Sequence, residues 1–171
     1  MNARRRAAVI GLALVALIGG HGVAVGAPAV VLWNGAAAGM SVDQVYALFG
    51  AAKPETGQVL EDGAMEALSV GATVGGAPAD ALFFFRGKAL DAVLVERSGM
   101  RRDQRAQNLA EAARLVNAAT TQYGRPNRCV ERRDVAAIDC AWIADGLKVA
   151  VGYHDFGGGS PALGILYRAA P

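Results

Sequence analysis

The sequence predicts an α+β fold: a tandem repeat of helix plus antiparallel three-stranded sheet, with the helices packed on one sheet face. Two observations carry this expectation. Segments with helix start and stop signals occur at 39–50 and 103–126, and each is followed by apolar runs broken by Gly-containing turns. The order helix, Gly/Pro stop, strand, hairpin, strand therefore appears twice, dividing the body into a first unit at 39–97 and a second at 98–171.

The first helix is the stretch GMSVDQVYALFG, 39–50. Ser41 is a good N-cap because its hydroxyl accepts from a first-turn N–H that has no helical partner, and Gln44 completes an S-x-x-Q capping box. Val45 and Leu48 share one face, with Phe49 beside Leu48, and Gly50 suits a left-handed stop. So short a helix is not stable alone and must lie on an apolar surface. Residues 59–70 read as a strand region interrupted at Asp62-Gly63, and 71–80 as a Gly-rich loop. Residues 81–85 and 89–97 are then two strands of a hairpin turned by Arg86-Gly87-Lys88.

The second unit opens with an amphipathic helix at 103–123, whose Leu109, Ala113, Val116, Thr120 and Tyr123 keep the spacing of one buried face. Gly124 and Pro126 stop it, as Gly50 and Pro54 stop the first. Strands follow at 135–143, 147–155 and 162–168, turned by Asp145-Gly146 and by the looser 157–161.

Composition bounds the compartment and the partners. Hydrophobic residues make up 53% and charged residues 19%, which is incompatible with a disordered chain. Arg4, Arg5 and Arg6 lie ahead of the apolar run 7–20, so residues 1–29 read as a secretory signal peptide with an A-x-A site at Ala27–Ala29, or as an N-terminal membrane anchor. Setting those three aside leaves 14 basic against 15 acidic residues, a body near neutrality with no electrostatic footprint for nucleic acid. Membrane contact is expected only through an uncleaved N-terminal segment. The two cysteines, Cys129 and Cys140, suit one structural disulfide in an oxidising compartment. They lack the C-x-x-C spacing of a redox pair and the His partners of a zinc site.

The residues Gly39, Met40, Ser41, Val45, Leu48 and Gly50, with Phe84, Phe85, Gly87, Lys88 and Leu90, resemble the SmpA/OmlA domain of outer-membrane assembly lipoproteins. Two such units in tandem resemble the β-lactamase inhibitor protein fold, a secreted binder. The resemblance implies a role in envelope assembly or in inhibiting an extracellular enzyme. No Cys follows the apolar run, so lipid attachment there is excluded.

No catalytic set, metal site or cofactor motif stands out. His154 is the one histidine of the body; with Asp155 it supports an alternative reading as an exported hydrolase, and Ser160 lacks the G-x-S-x-G elbow. Along 147–155, alternation puts Val149, Val151 and Tyr153 on one side and Lys148, Gly152 and His154 on the other. Among Phe83, Phe84 and Phe85, alternation leaves Phe84 on the face opposite its neighbours, where an exposed aromatic favours an interface. The candidate binding residues are therefore Phe84, Lys148 and His154. The function expected is an exported, non-catalytic interaction domain that binds a protein partner in the cell envelope, periplasmic or secreted; a membrane-anchored structural protein is the remaining alternative.

Overall fold

The computed structural model describes residues 29–55, 57–132, 136–155 and 160–171. The basic n-region, the apolar run and most of the cleavage motif lie outside them.

Among the described residues, ten strands and two α-helices follow in chain order. Strands β1 (Val31–Trp33) and β2 (Ala36–Ala37) form a small hairpin ahead of helix α1 (Val42–Leu48). Strands β3 (Lys53–Pro54), β4 (Met65–Val74), β5 (Ala77–Arg86) and β6 (Ala89–Arg97) come next. Helix α2 (Arg105–Tyr123) then leads to β7 (Arg128–Arg132), β8 (Ala137–Ala144), β9 (Leu147–His154) and β10 (Ala162–Ala169).

The expected tandem of three-stranded sheets is not what forms. Strands β3 to β10 join in one eight-stranded antiparallel sheet of order β3-β4-β5-β6-β10-β9-β8-β7. The joint is the pairing of β6 with β10, from Ala92 opposite Arg168 to Glu96 opposite Gly164. Its physical reason is the edge-strand problem: two separate sheets would each leave the unpaired backbone of an apolar strand, and pairing β6 to β10 removes both edges at once. The molecule is mainly antiparallel β.

Both helices lie against one face of this sheet. The capping box of α1 is closed: Ser41 N donates to Gln44 Oε1 at 2.8 Å and Gln44 N donates to Ser41 Oγ at 3.2 Å. Phe49 carries the C-terminal cap with φ −117°, so Gly50 does not supply the left-handed stop. Val45 is fully buried, and Phe49 stacks between Trp33, at 5.5 Å between ring centroids, and Phe83, at 5.1 Å. The buried stripe of α2 is Asn108, Ala112, Leu115 and Ala119, offset by about one residue from the spacing read off the sequence. The buried polar residue explains the offset: Asn108 Nδ2 donates to the Arg101 carbonyl at 2.8 Å, so the helix turns an amide inward and leaves Ala113 exposed. Arg97 of β6 pins the same helix through Glu111 at 3.1 Å.

Two further sequence expectations change. The Gly-rich stretch expected as a loop is taken into β4 and β5, leaving a tight turn at Gly75-Gly76, both at positive φ (58° and 82°). Asp62-Gly63 lies in a loop that folds back over the sheet face away from the helices.

Strand β7 pairs Cys129 directly with Cys140, and the two form a disulfide. That bond fits an oxidising compartment. No helix among the described residues is long and apolar enough to cross a membrane.

Candidate functional site

Alternation along the strands decides what the helix-free face displays. The register of β5, β6, β10, β9, β8 and β7 places side chains in rows. One row runs Leu82, Leu94, Leu166, Ala150, Ala141, Arg128; another runs Asp80, Glu96, Gly164, Gly152, Asp139, Val130. On β8, β9 and β10 the small residues of this face are thus Ala141, Ala150, Gly152 and Gly164, all half-buried; no helix among the described residues lies above them, Leu94 leans over Gly164, and His154 and Asp139 lean over Gly152. Exposed Lys148, Arg128 and Ile143 rise around these small residues, Ile143 being 51% exposed. A Cβ at Gly164 would come 2.9 Å from Leu94 Cδ1 and 3.2 Å from the Val95 carbonyl, so a side chain there would have to displace Leu94.

On β3 to β6 the same face is different. Residues 57–64 lie over it, and Leu60 and Ala64 cover Phe84, Leu82 and Ala92 in a second, smaller core. Beside this loop is a groove of ≈ 630 Å³ whose walls include Glu55, Glu66, Asp80, Glu96 and Lys53. Ser69 Oγ donates to Glu55 at 3.2 Å, Gln58 N donates to Glu66 at 3.3 Å, and Ser98 Oγ donates to Asp80 at 2.7 Å. Burial lifts the Glu66 carboxyl above its ordinary pKa; the charges of Glu55 and Glu96 add to the rise and the Gln58 N–H opposes it.

The three sequence candidates separate. Phe84 is on the helix-free face but has no exposure, because the loop covers it; it is a core residue and not a docking aromatic. Lys148 stands exposed on β9. His154 is half-buried, and its Nε2 lies 3.1 Å from Asp139 Oδ1, across the strand pair. Asp155 turns instead to Arg102, whose Nε donates to it at 3.1 Å. His154 and Asp155 therefore face different partners, and Ser160 lies at the groove on the β6 side. Among the described residues, no group of three or more His, Cys, Asp or Glu side chains could hold a metal ion.

Sequence reasoning missed Glu55, Glu66, Asp80 and Glu96 as a set. Each is ordinary in its own strand, and only the register between strands brings them to one groove.

No protein-family model matches the chain, and no curated protein matches it significantly. Among solved structures it is similar to a DUF4309 family protein, YjgB, from Bacillus subtilis, at 15% identity over 76% of this chain and 78% of that one, with a TM-score of 0.43. A likeness that slight assigns neither a fold family nor an activity.

Proposed function

We propose that this chain is an exported, non-catalytic protein-interaction domain of the cell envelope, periplasmic or secreted, that docks a protein partner on the helix-free face of its sheet. The observation that carries the reading is the patch of Ala141 and Ala150, half-buried and covered by no helix among the described residues, bordered by Leu94, Leu166, Ile143, Lys148 and Arg128. Small residues on an open sheet let another surface approach closely, and an apolar centre with a charged border is the usual anatomy of a protein interface. Export is supported by Arg4–Arg6 ahead of the apolar run, by the A-x-A motif, and by the Cys129–Cys140 disulfide. The narrower role of assembly factor or inhibitor-like binder rests on the sequence resemblance alone.

The test is photo-crosslinking in the native envelope from a reactive side chain placed at Ala150, with a control at the exposed Ala113 of α2. One protein captured from Ala150 and not from Ala113 is the expected result. Capture from neither position, or from both alike, overturns the reading.

A further inference from the structure

We infer that the outer edge of β4, at residues 70–74, is a docking site for an extended peptide segment with basic side chains, which adds to the sheet as a further strand. The inference goes beyond the docking face described above, since this edge lies at the other end of the sheet, with β5, β6 and β10 between β4 and β9.

The edge is open by register. Strand β4 runs from Met65 to Val74, but β3 pairs only with Leu68 and Ser69. The chain turns away ahead of β3, where Ala52 N donates to the Phe49 carbonyl at 2.7 Å, so β3 is not continued past Ser69. Beyond that point Pro78, opposite Thr73, fixes which way the backbone groups of β4 face. Pro78 has no N–H, and its carbonyl accepts from Ser98 N at 3.2 Å and from Arg97 Nη1 at 3.1 Å on the β6 side. Opposite residues of a non-hydrogen-bonded antiparallel pair turn their backbone groups away from each other, and the pattern alternates along the strand. The N–H and C=O of Thr73, and by alternation those of Gly71, therefore point out of the sheet. Both residues are exposed, and neither has a backbone partner on that side among the described residues. Proteins blunt such edges with charge or proline. The opposite edge, β7, carries Arg128, Glu131 and Arg132; residues 70–74, VGATV, carry neither charge nor proline.

The neighbouring groove selects the occupant. A strand added along β4 sets alternate side chains on the helix-free face, beside Gly71 and Thr73. The row that starts at Gly71 runs on to Asp80 and Glu96. Gly71 leaves that row open, because nothing lies within 4 Å of where its Cβ would be. With strands about 4.8 Å apart, a Lys or Arg of the added strand opposite Gly71 reaches over the glycine to Asp80. Glu55 and Glu66 wall the same groove. None of these four carboxylates makes an ion pair among the described residues. Of the cations at the groove, Arg97 is already engaged by Glu111 and by the Pro78 carbonyl, which leaves Lys53. The backbone of a basic peptide thus meets unpaired donors and acceptors while its cations meet an excess of negative charge, the combination that strand addition needs for affinity and selectivity. A second copy pairing through the same edge fits worse. Antiparallel β4–β4 pairing keeps both helix-free faces on one side and sets two acidic grooves next to each other.

The experiment titrates the chain, as recovered from the cell envelope, with a blocked pentapeptide alternating Val and Lys, and follows its backbone amides by nuclear magnetic resonance. Slowed hydrogen exchange at the Gly71 and Thr73 amides, and at no amide of β7, is the expected result. The same peptide with Glu in place of Lys, and the Val/Lys peptide N-methylated at its Lys amides, are each expected to bind at least about tenfold more weakly. Asp80→Asn together with Glu96→Gln, at an exposed and a half-buried side chain, should weaken the Val/Lys peptide about tenfold, as should high salt. Thr73→Pro removes an outward N–H without breaking a bond to β5 and should abolish binding, with circular dichroism checking its fold. If that variant does not fold, the Asp80→Asn, Glu96→Gln pair decides. No binding of the Val/Lys peptide at millimolar concentration, equal binding of the Glu peptide, unaltered exchange at Gly71 and Thr73, or full binding by the neutralised pair overturns the inference. Protection of those two amides that grows with protein concentration in the absence of peptide assigns the edge to a second copy and overturns it equally. Capture from Ala150 is read separately, so the docking-face reading and this inference stand or fall apart.

Discussion

Arg168, on the last strand, sets its guanidinium 2.8 Å from the Asp91 carboxylate and pairs with Asp62 through its other nitrogen. Arg86 completes the group, 3.0 Å from Asp62 and 3.5 Å from Asp91, and it also donates to the Asp62 carbonyl at 2.7 Å. Two arginines from neighbouring parts of the sheet thus hold down the loop that covers Phe84. The consequence links the end of the chain to the relief of the helix-free face: without Arg168 the loop loses one of its two cationic anchors.

Loop release is therefore the first prediction. Asp62→Asn is expected to speed proteolytic cleavage within 57–64 while leaving the far-UV spectrum unchanged, as measured by limited proteolysis with mass mapping. Cleavage at the unaltered rate would show that the loop is held by Leu60 and Ala64 alone. The pH dependence has a definite sign. Desolvation acts to raise the Asp62 carboxyl, but the Ala64 N–H, Arg168 and Arg86 outweigh it and hold it below its ordinary 3.8. A lowered carboxyl contributes fully above its ordinary pKa and loses that contribution as pH falls through the lowered value. Cleavage of the unaltered protein should accordingly rise only below about pH 4.

Burial of Phe84 predicts a structural phenotype and no binding phenotype of its own. Phe84→Ala should cost about 3–5 kcal/mol in urea unfolding, the range for emptying a buried aromatic site. Lys148→Ala, at an exposed position, should stay within about 0.5 kcal/mol of the unaltered chain. Equal stabilities for the two variants would mean that Phe84 is not packed under the loop.

The disulfide ties the edge strand β7 to β8 across a sequence separation of 11. By loop-closure entropy it should contribute about 3 kcal/mol. Cys129→Ser with Cys140→Ser, compared with the oxidised protein by denaturant unfolding, measures it. A difference below about 0.5 kcal/mol would show that β7 is held by its backbone ladder and neighbours alone.

Tyr167 faces the main core between Val93 and Val149, and burial, with the nearby Tyr123 adding to it, pushes its hydroxyl up to about 12. A raised pKa means stability that is complete below the ordinary value of 10 and is lost as pH rises through about 12. Alkaline unfolding is expected in that window, coincident with tyrosinate absorbance. Tyr167→Phe should shift the midpoint to higher pH. An unchanged midpoint would place the alkaline trigger elsewhere.

Local chemistry was legible where a few adjacent residues decide it. Ser41 and Gln44 specify their cap because the donors they satisfy lie within one turn. Arg86-Gly87-Lys88 and Asp145-Gly146 specify hairpins because Gly87 and Gly146, and Asp145 too, occupy the left-handed region (φ 63°, 76° and 50°) that those turns need. The alternation of Val149, Val151 and Tyr153 with Lys148, Ala150 and Gly152 identifies the buried side of β9 before any partner strand is known.

The tertiary structure decided the rest, and in each case through pairing between residues distant in sequence. Strand β7, RCVER, is short and charged, and only its ladder to β8 makes it a strand. Residues 71–80 carry Gly and Pro that favour a loop, yet their backbone is drawn into β4 and β5 by the neighbouring pairs. The seam between β6 and β10, the cover over Phe84 and the gathering of Glu55, Glu66, Asp80 and Glu96 depend on register, which no single segment contains. By itself the sequence determined the N-terminal cap of α1, the turns at 86–88 and 145–146 and the cysteine pair, because short-range hydrogen bonding and sterics suffice for them; the turn expected at 157–161 lies mostly outside the described residues. How the strands join into one sheet, and therefore what its open face presents, was settled only when distant edges paired to satisfy their backbone.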